Sequence, residues 1–146
     1  MVPLPFDKLP IIEPLIAARL VETRLGERAD VESCMDTIAL GYRSMTIAAY
    51  VDATDAPKRC LVLLIHPNIF NKQKSVSIVL IYVDPSLRGD TSIARSMFSI
   101  AESFARHHGA SQLYCGSWIY RGSKDIGKLL RANDFEEQDV KYVKHL

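Results

Sequence analysis

The sequence predicts an α+β fold in which a mixed, mostly antiparallel central sheet carries helices on both faces. Three observations predict it. Two β-rich runs follow one another with turn chemistry between them. A strand, a helix and a second strand then fit within about forty residues, the length of a parallel crossover unit. Amphipathic helical segments precede both. With 146 residues, the chain fits one domain over its whole length, residues 1–146, and buries roughly 70% of the surface it exposes when unfolded.

The elements follow in order. Ile11, Ile12, Leu15, Ile16, Ala18, Leu20 and Val21 recur at helical spacing, with Pro14 tolerated only in a first turn and Gly26 as the terminator. Asp30 is a good N-cap for a second helix with Met35, Ile38, Ala39 and Tyr42 on one stripe. Met45 to Val51 and Arg59 to Ile65 read as a hairpin across Asp52–Pro57. Val76 to Val83 is an uncharged run, as expected of a central strand covered on both faces. A strong helix runs from Thr91 or Ser92 to His108 and ends at Gly109. Gln112 to Trp118 is the next strand, Ile126, Leu129 and Leu130 mark a short helix, and Val140 to Val143 a closing strand.

Composition excludes several function classes. Lys and Arg number 18 against 17 Asp and Glu, a net charge of +1, so no global field draws the chain to nucleic acid or to anionic lipid. Cys34, Cys60 and Cys115 form no Cys-x-x-Cys pair and are expected as reduced thiols. No run approaches a membrane span and no basic segment leads into an apolar one, so a cytoplasmic protein is expected, with neither membrane nor nucleic acid as partner.

The chemistry concentrates between Val76 and Ala110. A buried strand runs through Val83-Asp84-Pro85-Ser86-Leu87-Arg88-Gly89 into a long helix that closes at His107-His108-Gly109-Ala110. This places a turn rich in backbone N–H groups and the positive end of a helix dipole at a strand terminus beside Arg88, a combination that binds phosphate.

These residues resemble the GCN5-related N-acetyltransferase superfamily, whose members typically carry Val-x-Pro-x-x-Arg-Gly, a loop of small residues, a long helix and Gly-Ala before the next strand. The order of elements agrees over nearly the whole chain. The resemblance implies acetyl-CoA as co-substrate and transfer of its acetyl group to an amine by direct attack. It also implies that Ile81, Tyr82 and Val83 contact the pantetheine arm, and that Arg88, Gly89, Asp90, Thr91, Ser92, Ile93 and Ala94 hold the pyrophosphate. The loop departs from the family pattern by one inserted residue, which puts Ser92 and Ala94 at the glycine positions. Asp90 brings a carboxylate toward a pyrophosphate unless it turns away to cap the helix.

Leu130 stands where many relatives place a tyrosine that protonates the departing thiolate. Tyr120, Tyr114 and Cys115 are the substitutes on or beyond the neighbouring strand, with Tyr120 first because it follows the strand end. The acceptor is a small-molecule or peptide amine, and a last edge strand leaves pairing with a second copy, a homodimer, open. Two rival readings stand beside this one: a degenerate member kept as a binding or assembly module, and a CoA-independent enzyme with Cys115 as nucleophile.

Other signals have plainer explanations. Tyr114, Cys115 and Trp118 lie along a strand, where packing explains some of them. His107 and His108 end a helix whose dipole favours positive charge, a stabilising role rather than a metal site. His66 and His145 are too isolated to support a metal. Gly122-Ser123-Lys124-Asp125-Ile126-Gly127-Lys128 matches a phosphate-binding loop until Leu129, where a magnesium-binding hydroxyl is required.

Overall fold

Prolines shape the start of the chain. In the computed structural model, which describes residues 1–22, 30–67, 72–115 and 126–137, Phe6 to Ile12 wind as a 3-10 turn containing Pro10, and the α-helix begins only at Glu13. Ile11 and Ile12, read from spacing as helical, therefore belong to this tighter turn. Pro14 falls in the first α-turn, where its missing N–H costs no intrahelical bond.

The elements are β1 (Val2–Pro3), α1 (Glu13–Glu22), α2 (Val31–Arg43), β2 (Ile47–Val51), β3 (Arg59–Pro67), β4 (Lys74–Val83), α3 (Thr91–His107), β5 (Ala110–Cys115) and α4 (Ile126–Arg131). The sheet runs β1-β2-β3-β4-β5. Its first three pairings are antiparallel, and β4 pairs β5 in parallel across α3. The expected α+β class, hairpin and crossover are all present. Gly26, Trp118 and the closing strand at Val140–Val143 lie outside the described residues.

Each helix starts and stops for a local reason. Asp30 caps α2 by accepting from the amides of Glu32 and Ser33 at 3.1 and 3.3 Å, satisfying donors that a helix N-terminus leaves open. Asp90 does the same for α3 through Ser92 at 2.8 Å. The hairpin closes on Asp52, which accepts from Lys58 N at 2.9 Å and Arg59 Nε at 2.6 Å. Burial works to raise the Asp52 carboxyl, but these bonds hold it below its ordinary value.

Two apolar layers sandwich the sheet. On one face Ile12, Ile16 and Ile38 cover Ala49, Val51, Cys60, Val62 and Tyr82. On the other, Met97, Phe98, Ala101 and Phe104 of α3 and Leu130 of α4 cover Leu61, Leu63, Val76 and Ile78. Each fully buried aliphatic or aromatic side chain is worth about 1.5–3 kcal/mol. The Tyr42 hydroxyl ties α2 to the sheet edge, accepting from Ala49 N at 2.7 Å and donating to Leu4 O at 3.0 Å.

β4 contains one residue more than its partner. Val62 pairs with Leu80 and Leu63 with Ile78, so Val79 is left over as a bulge and is 36% exposed. β4 is the central strand covered on both faces that its sequence predicts, and the bulge resets which of its side chains face which layer. No helix among the described residues is long and apolar enough to cross a membrane.

Gly41 gives the packing a sharp test. A Cβ there would lie 2.4 Å from Ile47 Cδ1 and 2.7 Å from Ile47 Cβ, so α2 sits directly on β2 through this glycine. Overpacking costs about 1–3 kcal/mol, more than the roughly 1 kcal/mol of helix propensity that alanine returns. Gly41→Ala is expected to lower the urea midpoint; a midpoint at or above that of the parent chain would show that the contact is not tight.

Candidate active site

The candidate site lies at the β4 terminus, where the strand leaves its ladder. β5 accompanies β4 only from Lys74 to Ile78; among the described residues, Val79 to Val83 have no strand on that side. Asp84 N still donates to Lys58 O at 2.8 Å, so the neighbouring Val83 carbonyl points away from β3. Its partner is a side chain: Arg88 Nε donates to it at 2.8 Å.

The turn after β4 is built from its own acids. Asp84 accepts from Ser86 N at 2.9 Å, while Leu87 N and Arg88 N donate back to Asp84 O and Pro85 O at 2.9 and 3.3 Å. Gly89 has φ +104°, with open space where a Cβ would stand, a conformation that glycine adopts without strain. Ser92 N is taken by the Asp90 carboxylate and Ile93 N by the Asp90 carbonyl. Among the described residues, the amides of Gly89, Asp90 and Thr91 are the donors of this turn that no protein acceptor meets.

The sequence-predicted receptor of seven consecutive residues, Arg88 to Ala94, is thus narrower in the structure. Three amides face outward, while those of Arg88, Ser92 and Ile93 are used internally. Asp90 caps α3 through Ser92 N, so its own carboxylate stands at the helix N-terminus. Its bonds with Ser92 hold its carboxyl below the usual range.

Arg88 is engaged as well. Besides Val83 O, its guanidinium donates from Nη2 to Glu22 Oε1 at 2.6 Å and lies 5.8 Å from the centre of the Tyr82 ring. Glu22 ends α1, so this ion pair spans the helical layer and the β4 turn. Its other oxygen, Oε2, is buried without a hydrogen-bond partner. Sequence reading missed Glu22 because the pair is 66 positions apart; only its place in the last turn of an amphipathic helix marked it.

The predicted strand residues divide between two faces. Ile81 and Val83 pack toward the α3 layer, whereas Tyr82 is buried under α1 and α2, where burial raises its hydroxyl pKa. On β5, Cys115 joins the α3 layer, so Tyr114, its neighbour on a pleated strand, faces the other way. Of these alternative proton donors, Tyr114 and Cys115 therefore lie on opposite faces of the sheet. Burial pushes the Cys115 thiol up to about 11, with Arg19 pulling it down, so it is a thiol and not a thiolate at neutral pH. Tyr114 donates to Gln112 Oε1 at 2.8 Å. Tyr120 lies outside the described residues. A further cluster that isolated residues did not reveal joins His66 to Ser77 at 2.8 Å, with the Tyr114 ring stacked beside His66.

At the far end of α3, a groove of about 650 Å³ is lined by Tyr50, Phe104, His107 and His108. It is remote from the β4 turn. His108 packs on Phe104 at 4.4 Å, and burial, then His107, push its pKa below the ordinary value. The dipole-stabilised imidazolium expected from sequence is therefore disfavoured here. No group of three or more metal-ligating side chains occurs among the described residues.

No protein-family profile and no curated protein sequence matches the chain. Solved structures do match. The five-stranded mixed sheet with its flanking helices is an α+β fold found in acetyltransferases. It is shared with a predicted acetyltransferase from Clostridium acetobutylicum solved with acetyl-CoA, at TM-score 0.81 and 11% identity over 99% of this chain and 94% of that one. A ribosomal-protein-alanine N-acetyltransferase from Brucella melitensis biovar Abortus aligns at TM-score 0.74 and 16% identity, over 99% and 96% of the two chains. An aminoglycoside acetyltransferase from an uncultured soil metagenomic sample, in complex with sisomicin, aligns at TM-score 0.72 and 16% identity, over 99% and 94%. The fold is that of the GCN5-related N-acetyltransferases.

The capping acids and His108 predict the response to acid. Asp30, Asp84 and Asp90 are held below 3.8, chiefly by bonds with Ser33, Ser86 and Ser92, and His108 below 6.5. A depressed pKa means that the unfolded chain takes the proton first, so stability is present above the ordinary value and is lost as pH falls. Urea midpoints are expected to decline from about pH 6.5 downward and again below pH 3.8. A midpoint that rises on acidification between pH 7 and 3 would contradict this.

Proposed function

We propose that the protein is an N-acetyltransferase that moves the acetyl group of acetyl-CoA to an amine by direct attack of the acceptor nitrogen. The observation that carries this reading is the second half of β4, which has no strand on its β5 side among the described residues, running into the Gly89 turn at the N-terminus of α3. A strand edge offers backbone donors and acceptors to an amide-containing arm, and open amides at a helix start suit a diphosphate.

The residues present fit such a co-substrate. Val83 O, now held by Arg88, is an acceptor on the open side of the strand. The amides of Gly89, Asp90 and Thr91 are unclaimed, and Gly89 leaves room for close approach. Arg88 is the cation at this turn, and releasing Glu22 frees it for phosphate. When bound, acetyl-CoA supplies a thioester carbon open to nucleophilic attack. The chain's own part is to orient that carbon along β4, keep anions near the positive end of α3, and manage protons on the acceptor side. Tyr120, Tyr114 and Cys115 remain the proposed donors toward the leaving sulfur; the protonated Cys115 thiol suits an acid and not a nucleophile. The acceptor is a small-molecule or peptide amine, in keeping with the aminoglycoside and ribosomal-protein enzymes that share the fold.

A second reading is a degenerate binding module. It is favoured by Asp90 already occupying the α3 N-terminus and by Arg88 already paired with Glu22.

Ligand-dependent melting separates the two. Millimolar acetyl-CoA is expected to raise the melting temperature, since binding to the folded state alone stabilises it; no shift would count against the transferase. Arg88→Ala is expected to weaken binding about tenfold or more, as loss of a charged hydrogen bond does. Glu22→Gln, by releasing Arg88 from an exposed ion pair, is expected to tighten it by roughly two- to fivefold. Turnover abolished by Arg88→Ala would exclude the binding module.

A further inference from the structure

The face of the sheet opposite α3 changes character along its length. Under α1 and α2 it presents Cys60, Val62, Leu80 and Tyr82. Beyond them, strand alternation places His66 of β3, Ser75 and Ser77 of β4, and Gln112 and Tyr114 of β5 on that same face. Ser77 precedes Ile78, the last β4 residue paired with β5, and the Val79 bulge follows at once. Its hydroxyl therefore stands one residue before the end of the β4–β5 pairing seen among the described residues.

His66 Nε2 lies 2.8 Å from Ser77 Oγ, and its Nδ1 lies 3.4 Å from Pro67 O. With the proton on Nδ1, where the Pro67 carbonyl can accept it, Nε2 accepts from the Ser77 hydroxyl. The Tyr114 ring stacks on the imidazole, with centroids 6.1 Å apart and planes 29° apart, which fixes the ring's plane. A hydroxyl that donates to a neutral imidazole held by a third group is poised to give up its proton.

We propose that Ser77 and His66 form a proton relay for the acceptor amine, with Ser77 touching the substrate and His66 acting through it. The inference rests on the acetyltransferase reading and names the acceptor-side base that reading lacks. An amine near neutral pH is mostly an ammonium ion, and its nitrogen attacks only when a proton has left. Ser77 Oγ takes a proton from the acceptor nitrogen as its own proton passes to His66 Nε2. The nitrogen lone pair forms the new N–C bond, and the electron pair of the broken C–S bond leaves with sulfur. The acylated nitrogen sheds its second proton and the departing sulfur gains one, while His66 returns the first proton to water, so the net products are amide, thiol and one released proton. Ser75, opposite His66 in the ladder and fully buried with its hydroxyl unpartnered, takes no part.

Two measurements test the relay. Without any substrate, 15N spectra of the imidazole at neutral pH are expected to show His66 protonated at Nδ1 and its Nε2 signal altered by Ser77→Ala. Protonation at Nε2 overturns the proposal, because that nitrogen then has no room for the serine proton. With acetyl-CoA and a probe set of spermidine, an aminoglycoside and a lysine-containing peptide, His66→Gln and Ser77→Ala are expected to lower kcat about 100-fold. Their rates should climb with pH well into the alkaline range, while acetyl-CoA binding by thermal shift is retained. Ser75→Ala on the same face is expected to keep the parental kcat and pH profile. An unchanged pH profile in His66→Gln, or an acetyl group found covalently on Ser77, overturns the relay and leaves the transferase reading standing. A parent chain that neither binds acetyl-CoA nor acetylates any probe overturns both.

Discussion

The extra residue at Val79 governs the geometry of everything around it. On an unbroken strand, Ser77, Val79, Ile81 and Val83 would share one face and Val76, Ile78, Leu80 and Tyr82 the other. The bulge exchanges the two sets midway. Val76 and Ile78 then join Ile81 and Val83 against α3, while Ser77 joins Leu80 and Tyr82 opposite. One inserted position thereby keeps both cores continuous and brings a hydroxyl to the face that α1 and α2 leave polar. Among the described residues, the bulge also falls one position beyond the last β4–β5 pair.

Charge around the β4 turn is arranged to be self-sufficient. Asp84 and Asp90 satisfy the amides of Ser86 and Ser92, and Arg88 satisfies Glu22 and the Val83 carbonyl. Such exposed pairs are individually weak, about 0–1 kcal/mol, so they can be exchanged for a stronger anion without unfolding the turn. The contrast with the hairpin is instructive. There Asp52 and Arg59 close the hairpin loop within the chain's own hydrogen bonding, whereas Arg88 and Glu22 bridge two separate layers while Arg88 occupies the Val83 carbonyl.

Local chemistry was legible wherever the cause was local. Asp30 and Asp90 capped the helices they precede, Asp52 to Pro57 made the turn, and the strand–helix–strand stretch returned in parallel. The candidate site was legible only in outline. Its location after Val83 followed from a strand meeting a helix through glycine. The state of its residues did not, since Arg88 pairs with a residue 66 positions away and the amides of Arg88, Ser92 and Ile93 are taken by acceptors within the turn. His66 looked isolated because its partners Ser77 and Tyr114 come from other strands.

The sequence by itself determined the class of fold, the order of elements and the cap residues, because periodicity, turn chemistry and capping act over a few neighbouring positions. Tertiary structure alone decided which face each β4 residue takes, that Cys115 is a partly buried thiol, that His108 leans toward neutrality on Phe104, and that serine and histidine meet across the ladder. Those properties depend on strand register and burial. Register shifts by a single bulged residue, and burial depends on which helix lies above, so neither is written in any short stretch of the chain.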